Sequence, residues 1–167
     1  MEYPTLSNQI TYGDIAQAIA IFIAGCALFV GWLQIKAGNR QKRAEFIVNL
    51  YNQFSLNKEL LGIYYKIEYN KFKYDSAVFH NSEEEKLVDN LLRFFNNVAE
   101  LYLSGNFTIN DLEYLSYNYI VVYQNTSIRK YFVSLDKWYS DRRLKVRPFN
   151  AFRRVGEVLE KKYFNKR

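Results

Sequence analysis

Residues Ile15 to Ile35 form an apolar stretch of 21 residues in which only Gln17 and Gln34 are strongly polar and none is charged. As a helix rising about 1.5 Å per residue it spans roughly 30 Å, the thickness of a bilayer's hydrocarbon core. This constrains the fold more than any other feature of the chain. A second pattern is superimposed on it. At alternating three- and four-residue steps stand Gly13, Gln17, Ala20, Ala24, Ala27, Gly31, Gln34 and Gly38, all small or Gln, while Ile19, Phe22, Ile23, Phe29, Val30 and Leu33 lie off that line. The spacing is that of a left-handed helix seam. Small residues let backbones approach closely in lipid, and Gln can hydrogen-bond across the contact. One side of the helix is therefore expected to face another helix and the remainder to face lipid.

The flanks predict orientation. Nothing before Asp14 is basic, so the charged start of a secretory signal peptide is missing, and the run passes into charged sequence without a small-residue cleavage site. The expectation is an uncleaved anchor. Glu2 and Asp14 precede it and Lys36, Arg40, Lys42 and Arg43 follow it, which places the C-terminal side in the cytoplasm by the positive-inside rule. Trp32 lies near that end, where aromatic rings favour the interface. The lone cysteine, Cys26, falls inside the run, so no intrachain disulfide forms. The expected organisation is a short extracytoplasmic N-terminus (1–13), a transmembrane helix (14–36), a juxtamembrane helix (37–55) and a cytoplasmic helical domain (56–167).

The fold class is all-α: one membrane helix followed by a bundle of five to six helices. Ala44 to Phe54 continues the first helix. A second runs from Asn57 to Tyr74, with Leu60, Leu61, Tyr64, Ile67 and Phe72 near helical spacing. Ser82 caps a third, with Glu85 as its capping-box partner and three carboxylates at the positive end of the helix dipole. Leu87, Leu91, Phe94, Phe95, Val98, Leu101 and Tyr102 give this helix a wide apolar face, and Gly105 ends it. Thr108 or Asn110 starts a fourth, over Leu112 to Tyr123. Asn125 or Thr126 starts a fifth, through Ile128, Phe132, Leu135 and Trp138. Pro148 suits the first turn of a last helix carrying Phe149, Phe152, Val155, Val158 and Leu159. Short connections favour antiparallel neighbours. The many tyrosines, among them Tyr51, Tyr64, Tyr65, Tyr69, Tyr114, Tyr117, Tyr119 and Tyr123, exceed what a small core buries, so some belong to grooves or subunit contacts, or to an amphipathic rim.

Charge is uneven: Ala44 to Asp136 carries a net −4, and Lys137 to Arg167 a net +8. Arg142, Arg143, Lys145, Arg147, Arg153 and Arg154, interleaved with Phe149 and Phe152, attract phosphate on a nucleotide, a nucleic acid or a lipid. Aromatics beside arginines also stack bases. A solvated face is the plainer alternative. Catalysis finds little support. His80 is the only histidine and reads as an exposed loop residue, and no phosphate-binding glycine motif is present. Cys26 lacks an activating base or cation. Helix capping accounts for Glu83, Glu84 and Glu85. Glu100, if buried, calls for a partner such as Arg93 or Arg129. No catalytic residue, metal or cofactor is expected.

The stretch Leu91-Leu92-Arg93-Phe94-Phe95-Asn96-Asn97-Val98-Ala99-Glu100-Leu101-Tyr102, followed by Ser104-Gly105-Asn106-Phe107 and Asp111, resembles an uncharacterised bacterial family of single-pass membrane proteins with a small cytoplasmic helical domain. Asn150-Ala151-Phe152-Arg153-Arg154-Val155 resembles that family's closing helix, and Asn96 stands where the family has Glu. The layout is also similar to membrane effectors of antiphage defence, of the Hailong type or of cyclic-oligonucleotide CRISPR signalling. That resemblance implies an inner-membrane homo-oligomer, with four copies as the working number, a nucleotide or oligonucleotide ligand, and an operon-encoded protein partner. Two functions follow as expectations. In one, Gln17 and Gln34 ring the ends of a pore gated by ligand on the basic segment, with Ala20, Ala24, Ala27 and Gly31 between them. In the other, the seam only joins copies and the helical domain recruits a protein through its tyrosines.

Overall fold

A computed structural model describes residues 12–145 and 147–164, with backbone alone at the helical positions 12–27, 37, 39, 40 and 164. Six helices and no strand appear among the described residues: α1 (Tyr12–Leu56), α2 (Lys58–Glu68), α3 (Glu83–Leu103), α4 (Glu113–Gln124), α5 (Thr126–Asp141) and α6 (Asn150–Phe164). The all-α class and the helix number agree with the sequence pattern. The chain divides into two compact units, Met1–Phe46 and Ile47–Arg167.

In the first unit α1 exposes its large apolar side chains between Leu28 and Ile35. Leu28, Phe29, Val30, Trp32, Leu33 and Ile35 are all exposed, Phe29 stacks on Trp32, and Lys36 lies over the Trp32 ring. Among the described residues no helix is long and apolar enough to cross a membrane. Leu28–Ile35, the part of the run with described side chains, rises only about 12 Å. The membrane span expected over 14–36 is therefore not found among the described residues, and the N-terminus expected over 1–13 falls almost wholly outside them.

The second unit is a helical bundle assembled around α3. Val88, Leu91, Leu92, Phe95, Val98 and Ala99 of that helix are buried, and α3 packs against α2 and α6 while α4 touches α2, α5 and α6. Phe54, in the last turns of α1, is buried in this core against Tyr64, Phe94 and Phe95. α4 and α6 approach closely at Gly156. A Cβ there would run into the Tyr123 ring, so glycine lets these helices meet at this separation.

Local signals explain the helix boundaries. Asn57 Oδ1 accepts from the N–H groups of Glu59 (3.0 Å) and Leu60 (3.1 Å), and Asn125 Oδ1 from those of Ser127 (2.9 Å) and Ile128 (3.2 Å). Gly105, at φ 77°, closes α3 as expected. Three boundaries and one cap differ from the pattern. The fourth helix starts at Glu113 with Leu112 as its cap residue, not Thr108 or Asn110. The second helix ends at Glu68 rather than Tyr74, because Asn70 takes the left-handed conformation at φ 55° and the Asn70 and Lys71 N–H groups turn back to Ile67 and Lys66. Asparagine tolerates this conformation better than most residues, and the apolar spacing carried through Phe72 conceals the stop. The last helix starts at Asn150, so Pro148 stands before it rather than in its first turn. Glu85 does not close a capping box on Ser82. Ser82 Oγ does accept from the Glu85 N–H at 3.1 Å, but the Glu85 carboxylate takes the Asn81 N–H at 2.6 Å, and the Ser82 N–H goes to Phe79.

Asn96 has a structural task. Its Oδ1 accepts from the Phe152 N–H at 3.1 Å, satisfying a free donor in the first turn of α6. Asn96→Ala is expected to lose about 1 kcal/mol. Asn96→Asp, which keeps the acceptor and adds negative charge at a helix N-terminus, is expected to hold or raise stability. Thermal unfolding of both variants checks this; equal losses would remove the cap from the account.

Candidate functional site

The structure sorts the sequence-derived candidates into groups. Of the seam, the side chains of Gln17, Ala20, Ala24 and Ala27 lie outside the described residues. Gln34 is exposed, and a Cβ at Gly31 would meet nothing within 4 Å. The C-terminal cations do not behave alike. Arg153 turns inward: its Nη1 donates to both Asp136 oxygens at 2.8 and 2.7 Å, and its guanidinium lies 4.2 Å from the Phe132 ring centroid. Its Nε and Nη2 are buried without a hydrogen-bond partner. The Arg142 guanidinium lies over Trp138, 3.8 Å from the ring centroid. Arg143, Lys145, Arg147 and Arg154 are exposed and show no ion pair among the described residues. This stretch includes two non-glycine residues at positive φ, Arg143 at 56° and Phe149 at 53°. For a bulky aromatic such as Phe149 that conformation is uncommon, and its side chain packs near Phe132.

A different group forms the best-defined concavity. A cleft of about 520 Å³ is lined by His80 and Asn81 from the loop before α3, Glu85 and Asp89 from α3, and Tyr131, Ser134, Leu135, Trp138 and Tyr139 from α5. Its polar groups are tied together. Tyr131 donates its hydroxyl to Asp89 Oδ1 at 2.9 Å, and Glu85 Oε1 lies 3.4 Å from the same oxygen. His80 Nδ1 is 3.0 Å from Glu85 Oε1, and its Nε2 is 3.2 Å from the Tyr74 hydroxyl. A neutral imidazole satisfies both contacts, donating from Nδ1 to the carboxylate and accepting at Nε2 from Tyr74. Tyr131 is itself buried, and its ring meets Phe79, Tyr74 and His80, so the hydroxyl is held in place by packing.

This network perturbs the cleft's acids. Burial, more than any other influence, raises the Asp89 carboxyl above its ordinary range; the Tyr131 hydrogen bond and Arg93 oppose the shift, and Glu85 adds to it. Burial also pushes the Tyr131 hydroxyl up, reinforced by Asp89 and Glu85, so at neutral pH it remains a donor. Arg93 Nη2 reaches only 4.0 Å from Asp89 Oδ2 and is largely exposed.

Sequence reasoning missed this constellation. Glu85 was already accounted for as a helix cap. The detectable sign was the four-residue step from Glu85 to Asp89, which puts both carboxylates on one helix face. Nothing local connects them to Tyr131 or Trp138, which arrive only through the packing of α5. Among the described residues no group of His, Cys, Asp and Glu is arranged to hold a metal ion. Comparisons with protein-family models, with curated proteins and with solved structures find no match to this chain, so the resemblance drawn from the α3 and α6 segments stands on those residues alone.

Proposed function

We propose that this chain is an oligomeric inner-membrane effector of antiphage defence, crossing the bilayer once through residues 14–36. Its C-terminal helical unit senses a cytoplasmic ligand, such as a nucleotide or oligonucleotide, and gates a pore formed by several copies. The observation that carries the reading lies on α1: six large apolar side chains within Leu28–Ile35 are exposed over more than half of the helix circumference, with Gly31 and Gln34 on the remaining side. A helix resting on a protein surface hides one apolar stripe, whereas one that exposes so wide an apolar arc belongs against other apolar helices or in lipid. The basic flank after Ile35 supports the orientation, and the exposed cations Arg142, Arg143, Lys145, Arg147 and Arg154 support an anionic ligand. Arg153, paired to Asp136, contributes to that segment by holding α6 in place.

A second reading has its own observation. Tyr65, Tyr69, Tyr114 and Tyr117 are 45–70% exposed, and the first two stack nearly parallel at 5.9 Å. Exposed tyrosines are enriched where proteins meet, which favours a non-conducting anchored module that recruits a partner.

Native mass spectrometry of the full chain in nanodiscs separates the two. Four or more copies support the pore; a monomer or dimer rules it out and leaves the anchored module. Gly31→Leu is the informative variant. The new side chain starts from open space on its own chain, so loss of assembly reports contact between copies. Unchanged oligomer size and conductance in Gly31→Leu and Ala27→Leu would remove the seam.

A further inference from the structure

We infer that the cleft between the start of α3 and α5 is a binding site for a small organic cation, one carrying an amidinium, guanidinium or ammonium group on a planar or hydrocarbon body. This goes beyond the function proposed above, whose ligand is anionic and is placed on the opposite charge. The volume, about 520 Å³, is in the range that encloses a small molecule. Its chemistry decides which kind. Glu85 and Asp89 share one hydroxyl, that of Tyr131, so two carboxylates are held close together in a chain whose net charge is +6. Arg93, 4.0 Å from Asp89, is not among the residues that line the cleft and is largely exposed. An anion would be repelled. A neutral apolar guest would strip water from the carboxylates without replacing it. A cation offsets the mutual repulsion of two carboxylates whose present hydrogen-bond partners are a hydroxyl, an imidazole and a backbone N–H.

The same cleft has an aromatic lining. Trp138 and Tyr139 contribute to it from α5, together with Leu135 and Ser134. The Trp138 ring already carries a guanidinium, that of Arg142, at 3.8 Å from its centroid. This contact is independent of the carboxylates and shows the indole accepting the same kind of group. The raised carboxyl of Asp89 is consistent with the site, since a charge made costly by burial gains most from a partner.

The test is calorimetric titration of the full chain, in nanodiscs of zwitterionic lipid, with benzamidinium and agmatine. Benzamide serves as the neutral isostere of the first. Binding of at least one cation tighter than about 1 mM, without detectable binding of benzamide, is expected. Asp89→Asn keeps the acceptor for Tyr131 and should weaken cation binding about tenfold or more. Trp138→Leu, a change at a half-exposed position, should weaken it about fivefold. Unchanged thermal unfolding in both variants ties the losses to the site. No binding of either cation, equal binding of benzamidinium and benzamide, or undiminished affinity in Asp89→Asn would overturn the proposal.

Discussion

Asp136→Ala is expected to destabilise the C-terminal unit by about 2–3 kcal/mol, somewhat less than the cost of breaking a fully buried ion pair. The asymmetry of the pair sets the size. Arg153 is 16% exposed at its side chain and Asp136 37%, so deletion strands the more deeply buried partner. The guanidinium would then keep only the face of Phe132, with Nε and Nη2 already unpartnered. An uncompensated buried charge costs more than the pair contributed. Arg153→Met removes that charge and keeps apolar contact with Phe132, so it should lose less than Asp136→Ala does. Arg154→Ala, at an exposed position one residue on, should fall within about 0.5 kcal/mol of the parent. Thermal unfolding of the three variants, followed by near-ultraviolet circular dichroism, provides the comparison. If Asp136→Ala melts with the parent while phosphate-ligand binding changes, Arg153 is a ligand group and not an internal strut.

The adjacent arginines 153 and 154 also show where sequence reading reaches its limit. Both are charged, both lie in the same basic run, and nothing local separates them. On a helix, successive residues point about 100° apart, so one faces α5 and the other water. The direction is set by α6 burying Ala151, Phe152, Val155 and Leu159, a periodicity legible in the sequence. The partner Asp136 was not legible, because it comes from another helix. The same division holds elsewhere. Ser82, Asn125 and Gly105 announced their helix ends because capping is a short-range transaction between a side chain and backbone two or three residues away. Asn70 gave a weaker signal, overridden by the apolar pattern that continues to Phe72. The buried face of α3 was readable from spacing alone. The cleft was not: it needs Glu85 and Asp89 from one helix, Tyr131 and Trp138 from another, and the loop that brings His80 to Glu85. Pairings between elements distant in sequence leave no periodic trace, and they are the ones that make this site.

Phe152→Ala is expected to cost about 3–5 kcal/mol, the largest loss from any single truncation proposed for this chain. Its side chain is fully buried at the junction of α3, α4, α5 and α6. Ring centroids of Tyr119, Phe95, Phe132 and Tyr123 lie 4.6 to 6.0 Å away, so removal empties a space bounded by four aromatic rings. Such rings are stiff, and the surroundings relax only partly into the void. The backbone of Phe152 raises the stakes: its carbonyl accepts the Tyr119 hydroxyl at 2.8 Å and its N–H donates to Asn96. Both bonds survive the substitution only if α6 stays in register. Tyr119 depends on that carbonyl, because burial holds its hydroxyl protonated and in need of an acceptor. Phe152→Leu, which refills most of the volume, should recover more than half of the loss. Hydrogen exchange of the α6 amides gives a second readout. In Phe152→Ala, protection should fall in α6 and at the contacting turns of α3 and α4, while α2 is less affected. A variant that melts with the parent would mean that α6 is docked by its polar contacts with Asp136 and Asn96, and that the aromatic junction contributes little to holding the bundle closed.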